Sequence, residues 1–261
     1  MNRRSVEKVE ITRLTGKKRV KLEDKVIRET PLTIFIGSQE VGTLLCTPCK
    51  VDYLAVGFLF TQGILQNAET IKDIYFHPER NFIQIQLDGS QEKLRSAIPS
   101  KNLFLSSCGA CSSYLPEYWQ NLGKINSPFT MKKDTLFEAM KDFEEKSNLF
   151  KITGGNHSSG LFDREKIEVF AEDIGRHNAV DKVIGECILK KIKTKDKALF
   201  LSGRVSWEIL VKAFRALIPV VISPSAPTNL GIHLADTLNV TLVGFLRKER
   251  MNIYTHPWRI V

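Results

Sequence analysis

The chain has 261 residues, 43% of them hydrophobic and 26% charged. That composition excludes disordered and fibrous classes and, at roughly 150 residues per domain, allows one large domain or two modest ones. Lys and Arg number 38 against 29 Asp and Glu, a net charge of +9, so the surface attracts polyanions.

The opening MNRRSVEKVEITRL interleaves charge with apolar residues, unlike a signal peptide. No segment reaches the roughly 18 uninterrupted apolar residues of a membrane span, so the expected location is cytoplasmic. Residues 6–46 read as short strands, with a hairpin turn at Gly37 to Glu40. DYLAVGFLFTQGIL, 52–65, is apolar nearly all round and predicts a buried helix with Asp52 as its cap. DIYFHPERNFIQIQL, 73–87, predicts a second hairpin. Residues 98–131 scatter Pro, Ser, Gly and Asn between short apolar pieces, which marks a loop and a domain junction. The expected division is an α+β domain over 1–125 and an α/β domain over 126–261.

DTLFEAMKDFEEK, 134–146, places Leu136, Phe137, Met140 and Phe143 on one helical stripe. Beyond residue 150 the pattern repeats. IEVFAE (167–172) runs through DIGRH into a helix bearing Val180, Val183, Ile184, Cys187 and Ile188. ALFLS (198–202) runs through GRVS into one bearing Trp207, Leu210, Phe214 and Leu217. PVVIS (219–223) runs through PSAPT into a third near 228–238, and VTLVGFL (240–246) closes the series. β-Branched runs between amphipathic helices predict a mostly parallel sheet covered on both faces. Its ligands belong beyond the carboxyl ends of the strands, where the three turns each feed a helix N-terminus suited to an anion.

Five cysteines, an odd number without an export signal, argue against a disulfide framework. SSCGAC, 106–111, sets Cys108 and Cys111 in a loop with Gly between them. Such a pair can act as nucleophile and resolving partner. It could equally be half of a zinc site or two packed thiols. CTPC, 46–49, lies between a strand and a buried helix, where Cys46 and Cys49 read as small apolar packing. Cys187 reads as core. EDIGRHNAVDK, 172–182, gathers Arg176 and His177 with charges of both signs around a glycine turn. Ser202, Gly203 and Arg204 occupy the equivalent second turn, and FLRKER, 245–250, adds cations where the last strand ends. Arg and Lys there suit phosphate or guanine recognition. TGGNHSSG, 153–160, offers His157 either as an acid or base or as a hydrogen-bonded structural group.

In register, ETPL (29–32), GFLFTQGI (57–64), SSCGAC (106–111), TGG with His157 (153–157), EDIGRHNAVDKVIG (172–185), SGRVSWE (202–208), SPSAPTNL (223–230) and GFLRKERMNIYT (244–255) resemble the formate dehydrogenase accessory family, FdhD. The resemblance implies a bacterial cytoplasmic homodimer whose C-terminal half is a three-layer, cytidine-deaminase-like α/β domain, joined to a smaller N-terminal α+β domain. It implies a sulfurtransferase that takes persulfide sulfur from a cysteine desulfurase. The sulfur passes to the molybdenum of the bis(molybdopterin guanine dinucleotide) cofactor destined for formate dehydrogenase. Carried over, Cys108 holds the persulfide and Cys111 is the second thiol. The cofactor segment is Phe245, Leu246, Arg247, Lys248, Glu249 and Arg250, beside the turns at Arg176, His177, Ser202, Gly203 and Arg204. No membrane and no nucleic acid are expected, nor is a bound metal.

The deaminase zinc signature, H-x-E with P-C-x-x-C, is missing, because Ser158 and Ser159 follow His157. The competing readings are a zinc-stabilised nucleic-acid or nucleotide-binding module using Cys46, Cys49, Cys108 and Cys111, and a nucleotide enzyme of deaminase descent with His157 or His177 as acid or base.

Overall fold

The computed structural model describes residues 5–88, 103–105 and 123–261. The first two strands, β1 (Val6–Thr15) and β2 (Lys18–Ile27), form a two-stranded ribbon of their own, turned at Gly16 with φ +59°. Next come β3 (Thr30–Ile36) and β4 (Gln39–Cys46), joined by the expected hairpin at Gly37 (φ +57°), and then helix α1 (Val51–Thr61). The second expected hairpin is β5 (Ile71–His77) with β6 (Phe82–Leu87), and β7 (Leu103–Leu105) follows. These five strands make one sheet in the order β5-β6-β3-β4-β7. Period-two alternation turns Leu32, Ile34, Ile36, Leu44, Ile83 and Ile85 onto one face, where α1 covers them.

Further along the chain lie α2 (Lys133–Lys146), α3 (Asn148–Thr153), β8 (His157–Phe162), β9 (Ile167–Asp173), α4 (Arg176–Leu189) and β10 (Ala198–Leu201). They are followed by α5 (Trp207–Arg215), β11 (Val220–Ile222), α6 (Asn229–Thr237), β12 (Thr241–Arg247) and β13 (Arg250–Thr255). The second sheet runs β13-β12-β11-β10-β8-β9. One face packs on α4, α5 and α6 through Leu161, Val169, Leu199, Val221 and Leu242. The other packs on α2 through Phe162, Phe200, Ile222 and Val243. On α2, Leu136, Met140 and Phe143 are buried and Phe137 is half-buried.

The apolar girth of α1 has a direct cause. One side lies on the five-stranded sheet and the other crosses α4 at backbone contact. A Cβ on Gly57 would stand 1.9 Å from the Asp181 carbonyl oxygen, and one on Gly185 would stand 1.9 Å from that of Tyr53. Only glycine at both positions permits this approach.

Three expectations need correction. The second sheet is mixed: β10–β11 and β11–β12 are parallel, whereas β8 pairs antiparallel with both β9 and β10, and β13 pairs antiparallel with β12. HSSGLF forms a central strand despite its poor β propensity because α2 leans on it. A Cβ at Gly160 would meet Phe143 at 3.3 Å, so a small residue is needed there. Asp52 does not cap α1; Lys50 holds the cap position in a left-handed conformation (φ 52°), and Asp52 sits in the first turn. Leu217 is not part of the α5 stripe, since that helix ends at Arg215 and Leu217 is 54% exposed at φ 56°.

Candidate functional site

Although β9 is not adjacent to β10, the antiparallel β8 between them makes both run the same way. The carboxyl ends of β9, β10, β11 and β12 therefore share one edge of the sheet, and β8 starts from that edge at His157. The three turns meet there as the sequence requires. Val205 N–H donates to the Ala226 carbonyl (3.2 Å) and Thr228 N–H to the Val205 carbonyl (3.0 Å), joining the second turn to the third. Ser223 Oγ donates to the Gly203 carbonyl at 2.7 Å. Helices α4, α5 and α6 all begin at this edge, at Gly175, Ser206 and Thr228, and Thr228 accepts from Gly231 N–H. Free N–H groups at such ends favour an anion.

Gly203 is closely packed. An added Cβ would meet His157 Cε1 at 3.1 Å and Arg176 Cδ at 3.5 Å, so the second turn lies against the first turn and the start of β8. Ser202 Oγ accepts from Ser158 N–H at 2.9 Å and lies 3.1 Å from His157 Nδ1. Burial first, then the Arg176 cation and His177, hold the His157 imidazole below its usual pKa. A neutral ring with its proton on Nε2 would let the hydroxyl donate to Nδ1. His177 Nε2 lies 3.2 Å from Glu208 Oε2 and 3.4 Å from Ser206 Oγ. The hydrogen bond from His177 holds the Glu208 carboxyl below the usual carboxylate range. Arg204 is exposed beside them.

The FLRKER segment joins the same edge. Phe245 N–H donates to the Ser225 carbonyl (3.2 Å), Leu246 N–H to that of Ser223 (3.1 Å), and Arg247 Nε to that of Pro224 (2.9 Å). Arg247, Lys248, Glu249 and Arg250 line an open hollow of about 600 Å³. Leu246 is wholly buried beneath the sheet, so its side chain packs in the core. Cys108 and Cys111 lie outside the described residues.

The rest of EDIGRHNAVDK splits away from this edge and does structural work that sequence reading missed. Lys182 and Asp173 are both fully buried, 2.6 Å apart. The ammonium also donates to the carbonyls of Thr47 (3.0 Å) and Glu172 (3.2 Å) and reaches Cys49 Sγ at 3.6 Å. Burial opposes its charge, but Asp173 with Cys49 and Cys46 outweighs burial and raises the Lys182 pKa. Asp173 accepts from Thr47, Gly175 and Asn178 in addition, and Asn178 donates to the Leu45 carbonyl. The start of α4 is thus fastened to the β4–α1 turn by partners more than 120 residues away. No local sequence signal carries such a pairing. Farther along α4, Asp181 holds Lys212 of α5 at 2.7 Å and Thr61 of α1 at 2.8 Å.

Cys46 and Cys187 lie in the cores, and burial pushes each thiol up to about 12. Cys49 is half-buried and lines, with Lys50, Asp52, Ile74 and Phe76, a groove of about 450 Å³. Among the described residues no group of three or more His, Cys, Asp or Glu side chains is placed to hold a metal ion. No helix among them is long and apolar enough to cross a membrane.

Comparison with known proteins agrees along nearly the whole chain. The FdhD/NarQ family profile matches residues 27–261. The chain is 39% identical over 240 residues to the sulfur carrier protein FdhD of Bacillus pumilus, covering 91% of this chain and 90% of that one. It is 36% identical over 241 residues to that of Bacillus subtilis, covering 92% of each. Its fold matches a crystal structure described as a formate dehydrogenase accessory protein from Desulfotalea psychrophila, with a TM-score of 0.82 at 26% identity over 98% of this chain and 99% of that one. A chain matched over nine-tenths of its length in sequence and 98% in topology, with the turns of its second sheet gathered at one edge, belongs to the FdhD/NarQ family.

Proposed function

We propose that this protein is a sulfur carrier in the maturation of formate dehydrogenase. It would accept sulfur as a persulfide on Cys108 and deliver it to the molybdenum of a bis(molybdopterin guanine dinucleotide) cofactor held as substrate. The observation that carries the reading is sequence identity with relatives named sulfur carrier protein FdhD, at 35–39% over 91–93% of the chain. The name of the Desulfotalea structure points to formate dehydrogenase.

The chemistry follows from the thiols. The Cys108 thiolate attacks the outer sulfur of a persulfide on a cysteine desulfurase, forming Cys108–S–SH and releasing the donor's thiolate. For delivery, the Cys111 thiolate attacks the inner sulfur. A Cys108–Cys111 disulfide forms and hydrosulfide leaves as the ligand for molybdenum, which balances atoms and electrons. The cofactor's pyrophosphates suit the sheet edge, where three helix N-termini and the cations Arg176, Arg204, Arg247, Lys248 and Arg250 lie along one line of turns. His157, its pKa held down by burial, stands at the same edge beside Ser202. A cytoplasmic homodimer is the form in which we expect it to act.

Complementation tests the reading. In cells lacking the native chain, the wild-type protein should restore formate dehydrogenase activity and Cys108→Ala should leave it at the background level. Full activity with Cys108→Ala would refute the assignment.

A further inference from the structure

Among the described residues the β1–β2 ribbon pairs with no other strand, and both of its outer edges expose unpaired backbone groups. Ribbons of two strands are marginal in water unless something packs on them. Here support comes to β2, which packs against α3 and whose Ile27 meets Gly155 just after that helix. Along the arms, the pairs Ile11 with Leu22 and Arg13 with Val20, together with Val9, put four apolar side chains on one face. Val9, Ile11 and Leu22 are only half-buried and Val20 is 53% exposed.

The charges say what kind of surface fits. Residues 5–28 hold eight Lys and Arg against four Asp and Glu, close to half of the chain's +9. All four acids are already paired across the ribbon: Glu23 with Lys8, Asp24 with Arg13, Glu10 with Lys21 and Glu7 with Arg28. Lys17, Lys18, Arg19 and Lys25 have no acidic partner among the described residues, and the first three form the tip. The ribbon contains no aromatic residue, so it lacks the stacking platform on which single-stranded nucleic acid is held. Its apolar stripe and open edge instead match an added strand.

We infer that the ribbon is a docking arm that takes an extended, acidic segment of a partner protein as a third strand along β1. Backbone hydrogen bonds to β1 supply the affinity, apolar side chains of the guest cover Val9 and Ile11, and carboxylates meet Lys17, Lys18 and Arg19. β1 is the receiving edge because the Ile27 end of β2 lies against Gly155. The arm precedes most of the region the family profile matches, and the inference stands independently of the sulfur chemistry.

The probe is a labelled peptide of alternating Val and Glu as long as β1, followed by fluorescence anisotropy on the full chain. Saturable binding is expected. It should weaken on the order of tenfold in Lys17→Glu/Lys18→Glu/Arg19→Glu and weaken with added salt. Hydrogen exchange should slow at those β1 amides that β2 does not pair. The substitutions are at an exposed turn, and an unchanged unfolding midpoint would confirm that the variant is folded. Absence of binding, binding indifferent to the charge reversal, protection elsewhere than β1, or preference for a mixed-sequence duplex DNA over the peptide would each overturn the inference.

Discussion

In the β1–β2 ribbon, Lys8 and Glu23 meet at 2.6 Å with 63% and 59% of their side chains in water. At the foot of α4, Lys182 and Asp173 meet at the same 2.6 Å with none of either side chain exposed. The distances are equal and the energetics are opposed. The exposed pair gains little, because water competes for both charges and two long side chains lose freedom. The buried pair is costly to desolvate and holds only because every polar atom around it finds a partner. Asp173 takes four donors, and Lys182 faces two carbonyls besides the carboxylate. Burial, rather than contact distance, decides which charges fasten the fold.

The contrast can be broken by mutation. Lys182→Met should leave Asp173 buried without its counter-ion and lower stability by about 3–5 kcal/mol, read from denaturant unfolding. Adding Asp173→Leu should lose less than the sum of the two single variants, since part of each single loss is the stranded partner. The α1–α4 crossing probes the same seam without charge. Gly185→Ala forces a methyl against the Tyr53 carbonyl and should cost about 1–3 kcal/mol or more. Lys8→Ala, made on the exposed member of the comparison, should change stability by no more than about 0.5 kcal/mol. A loss from Lys8→Ala as large as that from Lys182→Met would contradict the argument from burial.

The same contrast explains what could be read in the chain. The strands of the ribbon, both hairpins of the first sheet, and α1 with its apolar girth were legible because their patterns are local and periodic. The sheet edge was legible too: the turns at Arg176, Ser202 and Ser223 each follow a largely apolar run and precede a helix. HSSGLF was not legible as β8, because Gly160 there answers to Phe143 of α2, Ser158 to Ser147 and Ser159 to the Phe200 carbonyl rather than to strand propensity. Within EDIGRHNAVDK, sequence reading saw one charged cluster, whereas the structure divides it. Arg176 and His177 stay at the edge, while Asp173, Asn178, Asp181 and Lys182 turn inward to Thr47, Leu45, Thr61 and Lys212. Those partners come from other elements far along the chain, so no spacing within the cluster could reveal the division. The sulfur role given to the cysteine pair of SSCGAC rests on resemblance, since its spacing alone also suits zinc.

Intact mass of the purified protein after incubation with a cysteine desulfurase and free cysteine tests the central claim most directly. One added sulfur atom that reductant removes, present in the wild type and in Cys111→Ala but missing from Cys108→Ala, is the predicted result. An unchanged mass in the wild type, or an added sulfur that persists in Cys108→Ala, would contradict it.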